Sequence, residues 1–511
     1  MHLLDLPLEL LDQIFSEAVE DRTFKRVMRL RLVNKHFRCL TDEAIFSSHM
    51  LDEIAFGQDF RANKAEHHHD PWSLYLQTYL GRRIYQERNA KTVRGQYRRV
   101  AEYLWIAGSK VFPGLTFDDC VYDLSGVACF INSSLETSSL VNSKSQKDAF
   151  SQPELATLFL NAVIYMGLEP FAKALLSDDP NDYWQYPTVA ASAKPSMRRL
   201  IEIAAFKGHL TLLQHLVYVD KKMLNDTSSP MSASVASSIL RYASIGRHVD
   251  VMEYALDNSD LLNAHLTTAI SQNIETALGF THSPKVYSRL ASILEHGMNP
   301  FDETMHRALL ARIDEAARQT NTDMVRYHLR QGVDLNATEV EMKNELEIQQ
   351  KQVETPPRPL IGAIEGGSFD SLEELLWHGA DPNLYPSTQT PLMAAAHKGD
   401  LQMVRTLVEY GANVTVGTPP PLVVAVQQEN EDVFHFLESK GALLDPQTGA
   451  WAMAYATAYG LDSMVNLLCK HGVKRGDVVH HIISQEEHQN GRYLFKDNQY
   501  GVGASEFCLP D

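Results

Sequence analysis

Between Arg358 and Val473 the chain can be written as four rows that align one above another. They are "RPLIGAIEGGSFDSLEELLWHGADPN" (358–383), "TPLMAAAHKGDLQMVRTLVEYGANV" (390–414), "PPLVVAVQQENEDVFHFLESKGALLD" (420–445) and "WAMAYATAYGLDSMVNLLCKHGV" (451–473). Gly379, Gly411, Gly441 and Gly472 mark the ends of the rows at intervals of 32, 30 and 31 residues. Ala363, Ala395, Ala425 and Ala456 fill one column, and Leu375, Leu407, Leu437 and Leu468 fill another. A repeat of this length has room for one short helix, a reversal and a second helix. One such pair cannot bury its own apolar face, whereas neighbouring pairs stacked together can.

The residues inside each row suit that plan. Pro359, Pro391 and Pro421 open the first helix, where a missing N–H costs nothing because it would be unpaired in any case. Small alanines follow and let a neighbouring pair approach. The glycine after the second helix supplies a left-handed cap. The motif "TPLMAAA" with its trailing "YGANV" resembles the ankyrin repeat, and the resemblance covers 357–476. Met393 stands where that family usually has a histidine tying successive loops together.

The pattern continues upstream in weaker form. "LIEIAAFKGHLTLLQHLV" (200–217) aligns without a gap to "PLMAAAHKGDLQMVRTLV" (391–408), with Ala204, Ala205, Lys207, Gly208, Leu210, Leu216 and Val217 identical. "LRYASIGRHVDVMEYAL" (240–256) fits with one extra residue, and "LFLNAVIYMGLEPFAKALL" (158–176) fits more loosely. Asn225, Asn263, Asn299 and Asn336 recur near unit ends. Residues 152–340 are therefore read as divergent ankyrin-like units, 341–356 as an insertion stopped by prolines, and 477–511 as a C-terminal cap or tail.

The front of the chain has a different pattern. In "LDLPLELLDQIFSEAV" (4–19), Leu6, Leu10 and Ile14 recur at helical spacing, and Leu30, Val33 and Phe37 do so further on. Two or three short amphipathic helices in about 45 residues make a very small core. Units of this size seldom fold alone unless something else covers their leftover apolar surface. Leu6, Pro7, Glu9, Leu10, Leu11 and Ile14, followed by Leu30, Val33, Lys35 and Phe37, resemble the F-box, with a longer and more basic middle segment, "DRTFKRVMRL". The resemblance implies docking to the Skp adaptor of cullin–RING ubiquitin ligases. The adaptor-facing candidates are Leu6, Pro7, Leu10, Leu11, Ile14, Leu32, Val33 and Phe37, of which a subset meets the adaptor and the rest holds the small core. Between 1–48 and the repeats lie an amphipathic helical region, 49–131, and a Ser-rich linker, 132–151, poor in large apolar residues.

Several chemistries are set aside. A net charge of −18 argues against a protein that coats nucleic acid or anionic lipid. The basic stretches 22–38 and 82–99 each hold seven Arg/Lys. They read as solvated faces, or as partners for acidic groups, rather than as an RNA site. Adjacent histidines at 67–69 cannot all face one ion, and "HHIISQEEH" (480–488) lacks the spacing of a zinc helix. "GVGASEF" (501–507) has no strand-to-helix context for a phosphate loop. Five scattered cysteines read as reduced thiols of a cytoplasmic or nuclear protein, not a secreted one. No catalytic residue, cofactor, metal or membrane span is expected.

The fold expected is all-α, with F-box helices followed by an ankyrin-repeat α-solenoid bearing short hairpin fingers. The function this implies is that of a non-catalytic substrate-recognition subunit of a Skp–cullin–F-box (RING) ubiquitin ligase, a pairing similar to fungal-type F-box/ankyrin architecture. The alternative is an ankyrin-repeat scaffold outside any ligase, its F-box decayed. Candidate target-binding residues on the loop tips and concave helices are Tyr385, Ser387, Thr388, Met393, His397, Trp451, Tyr455 and Tyr459.

Overall fold

The computed structural model describes residues 8–20, 27, 30, 35–48, 51, 71–90, 92–131, 152–176, 196–224, 229–261, 266–295, 304–336, 357–384 and 390–474. The Ser-rich linker, the 341–356 insertion, the C-terminal tail, both histidine clusters weighed above, and Asn225, Asn263 and Asn299 lie outside these residues. Among the described residues every regular element is an α-helix and no strand is formed. The chain divides into two compact units, the first running to Asn273 and the second starting at Ile274.

The first unit opens with α1 (Leu8–Glu20), α2 (Lys35–Ser47), α3 (Pro71–Gln86), α4 (Val93–Gly108) and α5 (Phe117–Ile131). Helix pairs follow: α6 (Gln152–Tyr165) with α7 (Glu169–Leu176), α8 (Met197–Lys207) with α9 (Leu210–Met223), and α10 (Ala233–Ile245) with α11 (Val249–Asp257). Helix α12 (Thr268–Phe280) contains the point of division. The second unit continues with α13 (Pro284–Glu295), α14 (Thr304–Arg318) and α15 (Thr322–Leu329). It then has α16 (Pro359–Gly366) with α17 (Phe369–Trp377), α18 (Pro391–Lys398) with α19 (Leu401–Glu409), α20 (Pro421–Gln427) with α21 (Glu431–Ser439), and α22 (Pro446–Ala458) with α23 (Asp462–Lys470).

The two columns seen in the sequence have one structural cause. In the first helix of each pair, the residue after the last turn adopts a left-handed conformation. The next N–H then donates back to the carbonyl five residues earlier, closing the helix with a Schellman bond. The acceptors are Ala363, Ala395, Ala425 and Ala456, at 2.9, 3.3, 3.0 and 2.7 Å. The second helices close in the same way on the carbonyls of Leu375, Leu407, Leu437 and Leu468, at 3.1, 2.9, 3.0 and 3.0 Å. Both columns therefore mark the point where a helix is terminated and the chain reversed.

The same closure recurs upstream. Val163, Ala204, Ala243 and Ala316 accept the corresponding bonds at 3.1, 3.0, 2.8 and 2.9 Å. The extra residue in the 240–256 row also has an explanation: Gly246 stays right-handed, and Arg247, at φ 64°, takes the position that Gly208 holds at φ 73°. A non-glycine residue pays about 1–2 kcal/mol for that conformation, so the tertiary contacts of this pair must supply it.

Successive pairs are joined at the turn just closed. The Asn430 amide donates to the Gly399 carbonyl at 3.1 Å, and the Asn321 amide to the Thr281 carbonyl at 2.9 Å. In the first unit the His209 ring nitrogen meets the Tyr165 carbonyl at 3.1 Å, and its ring lies where a Cβ on Gly167 would fall. The first helices are buried almost all round: Pro391 to Ala396 are all buried, as are Pro359 to Ile364 and Pro421 to Val426. They stack on one another more closely than the second helices do.

Candidate functional site

The first candidate surface is on α1. Its apolar residues point in two directions. Leu11 and Phe15 are 2% and 3% exposed and join a core with Leu40, Ala44, Ile45, Phe46 and Leu51. Phe37 packs against that core and meets the Phe15 ring edge-on at 5.0 Å. Leu10 and Ile14, one turn apart, are 47% and 38% exposed. Of the adaptor-facing candidates, Leu11 and Phe37 thus serve the core, and Leu10 and Ile14 form an open ridge. Leu6, Pro7, Leu32 and Val33 lie outside the described residues.

This small core is not closed by α1 and α2 alone. Tyr79 of α3 belongs to it, with its ring 5.7 Å from that of Phe46. Arg82 of the same helix pairs with Glu43 at 2.6 Å and covers the Phe46 ring at 4.1 Å. Part of the partner role read from residues 1–48 is therefore filled by the chain's own α3. The basic stretch 82–99 likewise turns several charges inward. Arg83 and Arg94 are buried, and Arg98 pairs with Glu102 at 3.0 Å and donates to the Tyr85 carbonyl.

The second candidate surface is in the repeats. Tyr385, Ser387 and Thr388 lie outside the described residues. Met393, expected on the binding surface, is instead a core residue at 1% exposure, its sulfur lying where a side chain on Gly417 would sit. The reason is that its helix is enclosed on all sides by neighbouring pairs. His397 is half-buried in the last turn of α18. Trp451 and Tyr455 lie on α22 and Tyr459 caps its C-terminal end, the three at four-residue spacing. Trp451 and Tyr455 are half-buried, Tyr459 is 49% exposed, and the two tyrosine rings stack at 5.9 Å with 12° between their planes. The structure thus assembles a partly open aromatic stripe there, of the kind that anchors protein interfaces.

The loops at the ends of the second helices are ordered by asparagines, among them Asn336, one of those recurring near unit ends. The Asn336 amide donates to the Gly379 carbonyl at 2.8 Å and its oxygen accepts from the Asp381 N–H at 2.8 Å. Asn383 does the same to Gly411 and Asn413, at 2.9 and 2.8 Å. The signal was present as the 30-residue spacing of Asn383 and Asn413 in the rows. Trp377, 72% exposed at the end of α17, falls in no column shared by the rows and so carries no repeat signal in the sequence.

Shifted protonation equilibria mark joints rather than chemistry. Burial lowers the Lys398 pKa, and its ammonium donates to the carbonyls of Ile364 and Glu365, both at 2.8 Å, at the end of the preceding pair's first helix. Burial pushes the Cys120 thiol up to about 12, with Asp119 and Asp123 adding to the effect, which removes its nucleophilic form at neutral pH.

Antiparallel helix pairs, stacked through buried first helices and tied at their loops, define a helical repeat solenoid, a class whose extended surfaces bind other proteins. The family model described as ankyrin repeats, in three copies, matches residues 313–418 and 360–448. Ankyrin repeats are therefore detected within the second unit, over 313–448, and the all-α solenoid expected from the rows is the observed fold. No curated protein matches the chain. Among the described residues no helix is long and apolar enough to cross a membrane.

Proposed function

We propose that this chain is the substrate-recognition subunit of a Skp–cullin–F-box (RING) ubiquitin ligase. The α1 ridge docks to the Skp adaptor, and the ankyrin array holds the protein to be modified. What carries the reading is the split of α1: Leu11 and Phe15 fill the internal core while Leu10 and Ile14 stay open to solvent beside them. The outer face of a surface helix is typically polar, so two apolar residues one turn apart there suit a docking ridge. The chain supplies no reacting group in this scheme. It raises the effective concentration of a captured lysine near the ubiquitin-loaded enzyme. Target contact falls to the stripe of Trp451, Tyr455 and Tyr459.

The test is binding of purified Skp-type adaptor to the full chain and to the Leu10→Ala, Ile14→Ala double variant. Burying each side chain is worth about 1.5–3 kcal/mol, so the variant should bind at least ~100-fold more weakly. Its melting temperature should be unchanged, because both side chains are already exposed. Undiminished binding by the variant, or no binding by the unaltered chain at micromolar adaptor, removes the ligase reading and leaves an ankyrin scaffold.

A further inference from the structure

Two histidines and a glutamate converge on the second unit, and neither the repeat rows nor the adaptor role uses them. His435 and Glu438 are one turn apart on α21, and His471 caps the C-terminal end of α23 in the next pair. Glu438 Oε1 lies 2.8 Å from His471 Nδ1, and Oε2 lies 3.6 Å from His435 Nδ1. One donor atom from each residue falls within 4.8 Å of the other two. A tetrahedral zinc ion with bonds of about 2.0–2.1 Å holds its donors roughly 3.4 Å apart, so the donor spacings here exceed that by about 1.4 Å at most.

The surroundings favour a cation. Phe434 is fully buried, and both imidazoles rest near its ring, His435 at 5.6 Å and His471 at 5.5 Å between centroids. One wall is therefore fixed and apolar while the opposite side is open to water. The C-terminal ends of α21 and α23, with their outward carbonyls, both lie at this place, and helix C-termini attract positive charge. Two imidazoles and a carboxylate suit zinc and its first-row neighbours rather than calcium or magnesium, which take oxygen donors. The pair His378–Glu374, with a nitrogen–oxygen distance of 3.7 Å, provides an internal contrast, because no third donor among the described residues joins it.

We propose that His435, Glu438 and His471 form a three-ligand zinc site with a water-accessible fourth position, clamping the last described helix pair to the one before it. The bound ion fixes α23 against α21 and so steadies α22, which carries the aromatic stripe.

The experiment uses tag-free full-length protein in which His67, His68, His69, His480, His481 and His488 are changed to glutamine, so that no other histidine run chelates the probe. Zinc chloride is titrated against a chromophoric chelator, and melting is followed in parallel. The expected result is one zinc per chain, with a melting temperature raised by about 5 °C or more at a hundredfold excess over Kd. In His471→Gln and Glu438→Gln the affinity should fall at least tenfold and the thermal shift at the same zinc concentration should drop to about half or less, while His378→Gln should behave like the parent. Equal zinc binding by the parent and His471→Gln, or an equal loss in His378→Gln, overturns the site.

Discussion

At the scale of single residues, His328 carries a sharp consequence. It is 1% exposed, with its ring 4.7 Å from Tyr287 and 5.4 Å from Tyr327. Burial, and then the neighbouring Arg312 guanidinium, push its pKa down to about 4. The folded state holds this imidazole neutral, whereas an unfolded histidine takes a proton near pH 6.5. The unfolded chain thus binds more protons as the pH falls, so stability is full above about pH 6.5 and is lost on the way down to about pH 4. The loss amounts to about 3 kcal/mol for this residue. Burial lowers His209 and His248 as well, with the same sign. Denaturant titrations between pH 4.5 and 7.5 should show a distinctly shallower pH slope for His328→Phe than for the unaltered chain. Identical slopes would mean that this side chain is not the proton-linked group. His328 was not legible in the sequence, because one histidine in a divergent row has no local signature, and its burial depends on Tyr287 from another helix.

At the scale of elements, α14 and α16 cross in close backbone contact. A Cβ added at Gly366 would meet the Arg318 carbonyl oxygen at 2.2 Å, and one at Gly362 would meet the Asp314 carbonyl oxygen at 2.8 Å. Glycines four residues apart let α16 lie backbone to backbone on α14, and Arg318, paired with Asp314 on its own helix, also pairs with Glu365 across the seam. An alanine in a helix otherwise gains up to about 1 kcal/mol over glycine. Overpacking against rigid backbone costs about 1–3 kcal/mol, sometimes more. Gly366→Ala should therefore lower stability by about 1–2 kcal/mol net, read as a drop in denaturation midpoint, and a rise in that midpoint would refute the close crossing. The helices themselves were legible: proline openings, alanine columns and terminal glycines located α16 to α21 and α23, because each is a local requirement of a short helix and its cap, whereas α22 starts at Pro446, ahead of the row that begins at Trp451. The α14–α16 seam was not, since 40 residues separate Arg358 from Arg318 and no repeat column bridges them.

At the scale of the molecule, each compact unit has its own core, and each should respond to damage in that core. Phe15→Ala should destabilise the helices around α1 and α2 by about 3–5 kcal/mol, and Leu407→Ala those around α18 and α19 by about 2–5 kcal/mol. Amide hydrogen exchange, which resolves stability element by element, should register each loss within the unit that carries it. Faster exchange confined to the other unit would contradict the division. The amino-acid sequence by itself determined the helical repeats, their length and their turns, because stacking a short unit imposes the same small residue, leucine and glycine at every recurrence. It also marked the front of the chain as apolar beyond the needs of so short a segment. Only the tertiary structure decided that Leu11 and Phe15 face inward while Leu10 and Ile14 remain outside. The same holds for Tyr79 of α3, which completes the N-terminal core, for the burial of Met393, and for the meeting of His471 with His435 and Glu438. Each of these depends on which face a neighbouring helix covers, a choice made by contacts between residues far apart in the chain.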